Sequence, residues 1–208
     1  MRPSMTDAKH NLAAALAEAG DLDAAAARFE ANVGGDAAEE ARRLSGLGVV
    51  YKRQNRLEDA AAAFDASLQL VEDSRTMAYR GNVAALLGDL PDAERRLAAA
   101  AAAALKPRDK ADALNSRGVV LEGLGRPADA RECYDRALAA VPGHAKARAN
   151  RDAAVEAVTY AARRRIGGAA GLFLSRRADL ADCAIRYDII AVSGWRLEHL
   201  PDAWRDGE

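Results

Sequence analysis

At 208 residues, with a formal net charge of −1 and only 5% aromatic residues, the chain is long enough for a real core but poor in large anchor side chains. The near-neutral balance argues against a general nucleic-acid or membrane surface, and no apolar run approaches the roughly 20 residues of a membrane span. Met1 to Asp7 hold no apolar stretch of the kind a secretory signal needs, and Cys133 and Cys183 lie far apart without Cys-x-x-Cys spacing, so the expectation is a cytoplasmic chain with two reduced thiols.

From Thr6 onward one pattern returns about every 34 residues. A small residue (Ala13, Gly48, Gly81, Gly118) is followed by an alanine (Ala25, Ala60, Ala93, Ala130) and then, four positions on, by Phe29, Phe64, Leu97 or Tyr134. Between the two small positions stand Gly20-Asp21-Leu22, Asn55-Arg56-Leu57, Gly88-Asp89-Leu90 and Gly125-Arg126-Pro127. Gly or Asn there supplies the left-handed conformation that ends a helix. Two helices approach closely only where side chains are small, so Gly and Ala mark the contacts and the aromatic fills the space below. The alanine tract Ala98–Ala104 reads as a helix extended by one turn, with Pro107 stopping it.

The fullest copy, Ala111 to His144, carries Gly118, Leu121, Gly125, Ala130, Tyr134, Ala137 and Pro142. On these landmarks the stretch Thr6 to His144 resembles the tetratricopeptide repeat family. It departs at the first aromatic, which is Lys9, Leu44, Met77 and Leu114 here, and at a later leucine position taken by Arg80 and Arg117. The resemblance implies a mainly α, TPR-type α-solenoid. A flexible N-terminus (1–5) precedes four helix–turn–helix repeats at 6–40, 41–73, 74–110 and 111–144. Such an array has no deep cleft of its own and offers a concave surface to a partner.

A closing helix is expected over 145–166, with Asp152 in the place of the small residue and a more polar outer face. Gly167–Gly171 reads either as a hinge or as a closely packed helix, and a short helix is expected from Leu172 to the region of Ala181. Ile185–Val192 alternates like a strand, Ser193-Gly194 is a turn signal, and Trp195–Leu200 reads as the returning strand. The tail, 167–208, is thus a small α/β element with a hairpin. Isolated hairpins are marginal in water, so it must pack on something, and self-association through it is one route. Arg163-Arg164-Arg165-Ile166, the strand Arg186–Val192 and His199-Leu200-Pro201-Asp202-Ala203-Trp204 resemble the C-terminal end of the YraN family. That likeness implies a fragment of a restriction-endonuclease-like fold. The family's presumed metal site lies on Glu-Leu-Asp-Leu-type and Val-Glu-Val-Lys-type segments that are missing from this sequence, so no catalytic residue carries over.

His10, His144 and His199 show no His-x3-His or similar ligand spacing. His10 is read as solvent-facing on the first helix, His144 as an inter-repeat turn residue and His199 as a strand residue. No metal and no cofactor is expected, and no phosphate-loop or Gly-x-Ser-x-Gly motif occurs. Asp179, Asp182 and Asp188 read as a solvated face. Arg163–Arg165 with Arg176 and Arg177 is the best case for a phosphate contact, but from Arg163 onward eight Arg face seven Asp plus Glu, so nucleic acid is not an expected partner.

The repeat resemblance places the first helix of each repeat on the concave wall, with Arg42, Ser45, Val49, Lys52 and Arg53 facing inward in the second copy. Arg75, Ala78, Asn82 and Leu86 follow in the third copy, and Asp112, Asn115, Val119 and Glu122 in the fourth. Asparagine amides hold a peptide backbone by both its N–H and C=O, and cations receive carboxylates. The peptide-binding set is therefore Arg42, Lys52, Arg53, Arg75, Asn82, Asn115 and Lys146, the last at the start of the closing helix. The expected function is a non-catalytic adaptor taking a protein or peptide segment, acidic in character. The alternative is an accessory or remnant of a YraN-like nucleic-acid enzyme without its own catalytic site.

Overall fold

Small residues at repeat-spaced positions let helices touch, and the chain folds as a stack of such contacts. The structure, a computed structural model, describes residues 5–176, 187–193 and 196–204. Its helices are α1 Met5–Ala19, α2 Leu22–Ala31, α3 Ala37–Arg53, α4 Leu57–Leu70, α5 Ser74–Leu86, α6 Leu90–Ala103, α7 Pro107–Gly123, α8 Pro127–Ala140 and α9 Ala145–Ser175. Each odd helix packs on the even helix that follows it, and each pair packs on the next. The contacts α1 with α3, α3 with α5 and α5 with α7 line the first helices up as one wall. Residues Met1–Val155 and Glu156–Glu208 form two compact units, with the division inside α9.

The four intra-repeat turns share one hydrogen-bond scheme. Asp21, Arg56, Asp89 and Arg126 donate their N–H back to Leu16, Tyr51, Ala84 and Leu121, while Gly20, Asn55, Gly88 and Gly125 donate to Ala17, Lys52, Ala85 and Glu122. This is the Schellman closure of a helix, which needs a left-handed residue before the last donor. Asn55 fills that place at φ 60° and Gly125 at φ 72°. Asp21, Asp36, Asp73 and Asp89 then cap the helices that follow, each accepting the N–H three residues on.

Packing follows the repeat. Ala13, Ala25, Ala60, Ala93 and Ala130 are fully buried. The absent side chains of Gly48, Gly81 and Gly118 are replaced by Phe64, Leu97 and Tyr134 pressed against the helix backbone, and Phe29 sits in the same way on Gly46. At the departing leucine positions, ion pairs take over. Arg80 reaches Asp65 at 3.0 Å, and Arg117 reaches Glu94 at 2.9 and 2.5 Å. Arg96 joins Asp65 and Asp92 to the first of these.

Three expectations are corrected. The alanine tract does not lengthen its helix: α6 ends at Ala103 with 14 residues, like α4 and α8. The extra residues open α7 instead, because Pro107 at the first helical position begins a helix as readily as it ends one. The closing helix does not stop near Arg165; α9 runs unbroken for 31 residues through Gly167–Gly171 and takes in the start of the short helix expected from Leu172, whose end near Ala181 lies outside the described residues. No proline interrupts it, and nothing crowds Gly168 or Gly171. His144 is not a simple turn residue. It is 1% exposed, and its Nδ1 accepts the Ala147 N–H at 3.1 Å, capping α9. Nδ1 therefore carries no proton, so Nε2–H donates to Asp112 at 2.8 Å.

In the second unit β1 Tyr187–Ser193 pairs antiparallel with β2 Arg196–Trp204, with Ser193 opposite Arg196 and Ile189 opposite Leu200. The ladder is irregular between Tyr187 and Ile189, where Pro201 stands on the other strand; both strands are edges, which tolerate proline. Asp179, Asp182, Cys183, Ile185, Arg186, Gly194 and Trp195, named in the sequence-based expectations, lie outside the described residues.

Candidate functional site

The wall formed by α1, α3, α5 and α7 carries the polar side chains that sequence spacing singled out. At its first-repeat end a cavity of about 370 Å³ opens between α1, α3 and α5. His10, Arg42, Ser45, Val49, Arg75 and Tyr79 are among the residues that line it. On α3, Ser45 presents only a short side chain there, and Gly46 beside it is packed against the Phe29 ring. His10 corrects its expected solvent-facing position: half-buried, it stacks edge-on against Phe29 with ring centroids 5.3 Å apart.

A chain of hydroxyls fixes the proton order at the cavity wall. Thr76 gives its Oγ1–H to Asp73 at 2.8 Å, and Asp73 also accepts the Thr76 N–H at 2.8 Å. The 3.0 Å contact between Ser45 and Thr76 must then run from the Ser45 hydroxyl to the Thr76 oxygen. Ser45 has no proton left to give, so the guanidinium groups of Arg42 and Arg75 are the cationic donors of the cavity. Both residues are exposed at its rim.

Of the seven predicted site residues the wall assembles some and diverts others. Lys52 is half-buried, with Nζ 5.5 Å above the Tyr79 ring centroid. Burial pushes its ammonium group below the usual lysine range, and the charge of Lys146 adds to that. Lys52 on α3 and the exposed Lys146 on α9 thus belong to one electrostatic neighbourhood. Asn82 is half-buried and engages no side-chain hydrogen bond among the described residues. Leu86 and Val119, also expected on this wall, are 60% and 49% exposed.

Arg53, Arg75 and Asn115 are engaged within the chain. Arg53 donates to the Ala17 carbonyl, which also accepts the Gly20 N–H at the end of α1. Arg75 pairs with Asp109 of α7 at 3.1 Å. Asn115 accepts from the Asn150 amide of α9 at 3.0 Å. Asp109, Asn150 and the Ser45–Thr76–Asp73 relay escaped the sequence reading. A signal for them existed: these partners stand about one repeat apart, at separations of 34 for Arg75 and Asp109, 35 for Asn115 and Asn150, and 31 for Ser45 and Thr76.

Among the described residues no group of three or more His, Cys, Asp and Glu side chains is arranged to hold a metal, and no helix is long and apolar enough to cross a membrane. Cys133 is buried, and burial pushes its thiol up and away from the reactive thiolate.

Comparison with known proteins gives two separate likenesses. The tetratricopeptide repeat profile matches residues 7–75 and 80–145. Among solved structures, Pseudomonas aeruginosa pilF superposes with a TM-score of 0.68 at 18% identity, covering 77% of this chain and 70% of that one. YrrB, described as a TPR protein with an unusual peptide-binding site, gives 0.56 at 23% identity over 73% of this chain and 76% of that one. The first TPR of Spaghetti (RPAP3), bound to the HSP90 peptide SRMEEVD, gives 0.54 at 19% identity over 59% of this chain and 95% of that one. These likenesses establish the fold.

The second likeness is to UPF0102 proteins, consistent with the YraN resemblance of the tail. The UPF0102 protein amb4503 of Paramagnetospirillum magneticum is 51% identical over 61 residues, 29% of this chain and 47% of that protein. NGR_c36770 of Sinorhizobium fredii is 53% identical over 60 residues, 28% of this chain and 49% of that protein. The chain spans about half the length of the curated relatives it matches.

Proposed function

Because the chain belongs to the tetratricopeptide repeat family, we propose that it is a non-catalytic cytoplasmic adaptor that takes an acidic protein segment on the wall of α1, α3, α5 and α7. The observation that carries this reading is the convergence of Arg42 and Arg75 on one cavity, with Lys52 and Lys146 in one electrostatic neighbourhood beside it. Lys52 keeps its charge at a burial cost, which a bound carboxylate offsets. Asn82 holds the segment's backbone, and the exposed Leu86 and Val119 receive its apolar side chains. Peptide-bound RPAP3 and the peptide-binding site of YrrB support this use of the fold. Arg53 and Asn115 serve the scaffold in this reading.

The test uses a fluorescein-labelled decaglutamate and its decaglutamine counterpart. Decaglutamate should bind, and binding should weaken steeply with salt, since exposed charges are screened over about 8 Å at physiological ionic strength. Lys52→Glu with Lys146→Glu should abolish binding without changing helicity. Retained binding both in this double reversal and in Arg42→Glu with Arg75→Glu would remove the wall from consideration.

A second reading rests on the UPF0102 identity. In it residues 167–208 form a small α/β unit with a hairpin, and the repeats recruit a nucleic-acid enzyme whose catalytic segments this chain does not contain. A labelled DNA duplex tests it. Binding by the chain that is lost on replacing Arg163, Arg164 and Arg165 with Gln favours this second reading, and the absence of DNA binding at low salt removes it.

A further inference from the structure

The geometry points to an anchoring subsite in the cavity between α1, α3 and α5, where Arg42 and Arg75 receive one carboxylate of the ligand, and to Asp109 as an internal carboxylate that occupies Arg75 until the ligand arrives. The inference rests on the groove reading above and adds where the acid is read and what competes with it.

Three observations carry it. First, Arg75 stands between two recesses: it lines the cavity with Arg42, and also the neighbouring hollow with Asp109. Its guanidinium is therefore within reach of either side by rotation of a flexible stem. Second, the contact with Asp109 is incomplete. Both Asp109 oxygens, at 3.1 and 3.4 Å, are met by the single Nη2 of Arg75. A guanidinium has five N–H donors in a fork that suits two parallel bonds to a carboxylate, so Nε and Nη1 are not used on Asp109. The Arg75 side chain is 53% exposed and Asp109 only 16%, so the arginine is the partner that can swing out into water while the carboxylate stays in place. Third, the acid on the cavity wall is hydrogen-bonded elsewhere, although its charge also acts on Arg75. Asp73 is turned to the N-terminus of α5, where it takes both the N–H and the hydroxyl proton of Thr76. The Ser45 hydroxyl spends its proton on Thr76. An anion entering the cavity thus reads the arginines, while Val49 and Tyr79 offer apolar surface to its stem.

Asp109 then acts as a tax on binding: Arg75 serves the ligand only in the fraction of molecules in which Asp109 has released it. Removing Asp109 should tighten the grip on an acid, the opposite of what loss of a structural ion pair alone would do.

The experiment measures anisotropy of fluorescein-labelled decaglutamate at low salt on the intact chain carrying Asp109→Asn, Arg75→Gln, or both. Asp109→Asn should raise affinity about three- to tenfold. Arg75→Gln should lower it at least about fivefold, and the gain from Asp109→Asn should vanish in the Arg75→Gln background, as a double-mutant cycle of coupled groups requires. Asp109→Ser is measured in parallel with the melting curve of each protein, so that a folding defect in one variant leaves a second reading of the same position. A gain that persists without Arg75 would show a long-range charge effect and overturn the inference, as would no gain from either Asp109 variant in folded protein. If the unaltered chain binds no decaglutamate at low salt, it is the groove reading that fails.

Discussion

Gly118 tests the packing rule on which the whole array depends. A Cβ built there falls 2.7 Å from Cζ and 2.8 Å from Cδ1 of Tyr134, and closer still to Cε1. The Tyr134 ring is fully buried, so it must push α7 and α8 apart or leave its rotamer. Gly118→Ala gains about 1 kcal/mol of helix propensity and loses about 1–3 kcal/mol to overpacking. The backbone-facing ring, with almost no freedom to move, puts the loss at the upper end. The net expectation is a destabilisation of about 1–2 kcal/mol, a fall in Tm of about 3–6 °C for a chain of this size. Gly168 is the control: it lies in α9 with nothing within 4 Å of its Cβ position, so Gly168→Ala should be neutral or stabilising by up to about 1 kcal/mol. The assay is urea unfolding followed by circular dichroism, with the m-value checked, since repeat arrays lose two-state behaviour when one interface weakens. Replacing Tyr134 by Leu should relieve most of the Gly118→Ala penalty in the double mutant. A Gly118→Ala protein as stable as its parent would refute the reasoning, because the glycine would then not be what admits the ring.

His144→Ala should cost about 1–2 kcal/mol in thermal unfolding, since it removes the cap of α9 and the group that ties it to Asp112; His144→Asn, which can still cap, should recover part of this. Burial pushes the Asp92 carboxyl up, but Arg96 and Arg95 more than offset it, so it lies below the usual carboxylate range. Its contribution to stability is therefore present above the unfolded-state value of about 3.9 and is lost as pH falls further through the depressed folded value. Asp92→Asn should flatten the acid limb of a Tm-versus-pH curve, and an unchanged limb would count against the pairing. Incubation with DNA and Mg²⁺ or Mn²⁺ should give no cleavage above background; cleavage lost in Asp188→Asn would replace the adaptor reading with a nuclease one.

Turns and contact positions were legible in the sequence because they obey local or strictly periodic rules. Asn55 could be placed in the left-handed region from its place in the repeat, which Gly20, Gly88 and Gly125 hold in the other copies, and it is there at φ 60°. Gly118 and Tyr134 could be paired because a small residue and a ring recur together in copy after copy. Less legible were contacts that depend on a partner in a neighbouring repeat. Arg75 and Arg53 read as groove cations, and the partners they also have within the chain, Asp109 and the Ala17 carbonyl, lie 34 and 36 residues away. His144 looked like a turn residue because histidine is an uncommon cap; only the Ala147 N–H on one ring nitrogen and Asp112 on the other define its role. Pro107 was read as a stop, although the same fixed φ that forbids a helix interior suits a helix start.

The inter-repeat bonds also bear on how binding and stability are linked in this chain. Arg75 to Asp109, Asn115 to Asn150 and Asp112 to His144 each join a repeat to the element that follows it. In a linear array stability is a sum of repeat terms and nearest-neighbour interfaces, so each such bond belongs to a single interface. A ligand that draws Arg75 away from Asp109 loosens the junction of α5 with α7 while it joins α3 to α5 through Arg42 and Arg75. The acid-binding end of the wall then tightens and the junction next to it relaxes. Hydrogen exchange in the presence of decaglutamate should show this as added protection in α3 and faster exchange in the first turn of α7. Uniform protection along α3, α5 and α7 would mean that Asp109 keeps its arginine in the complex.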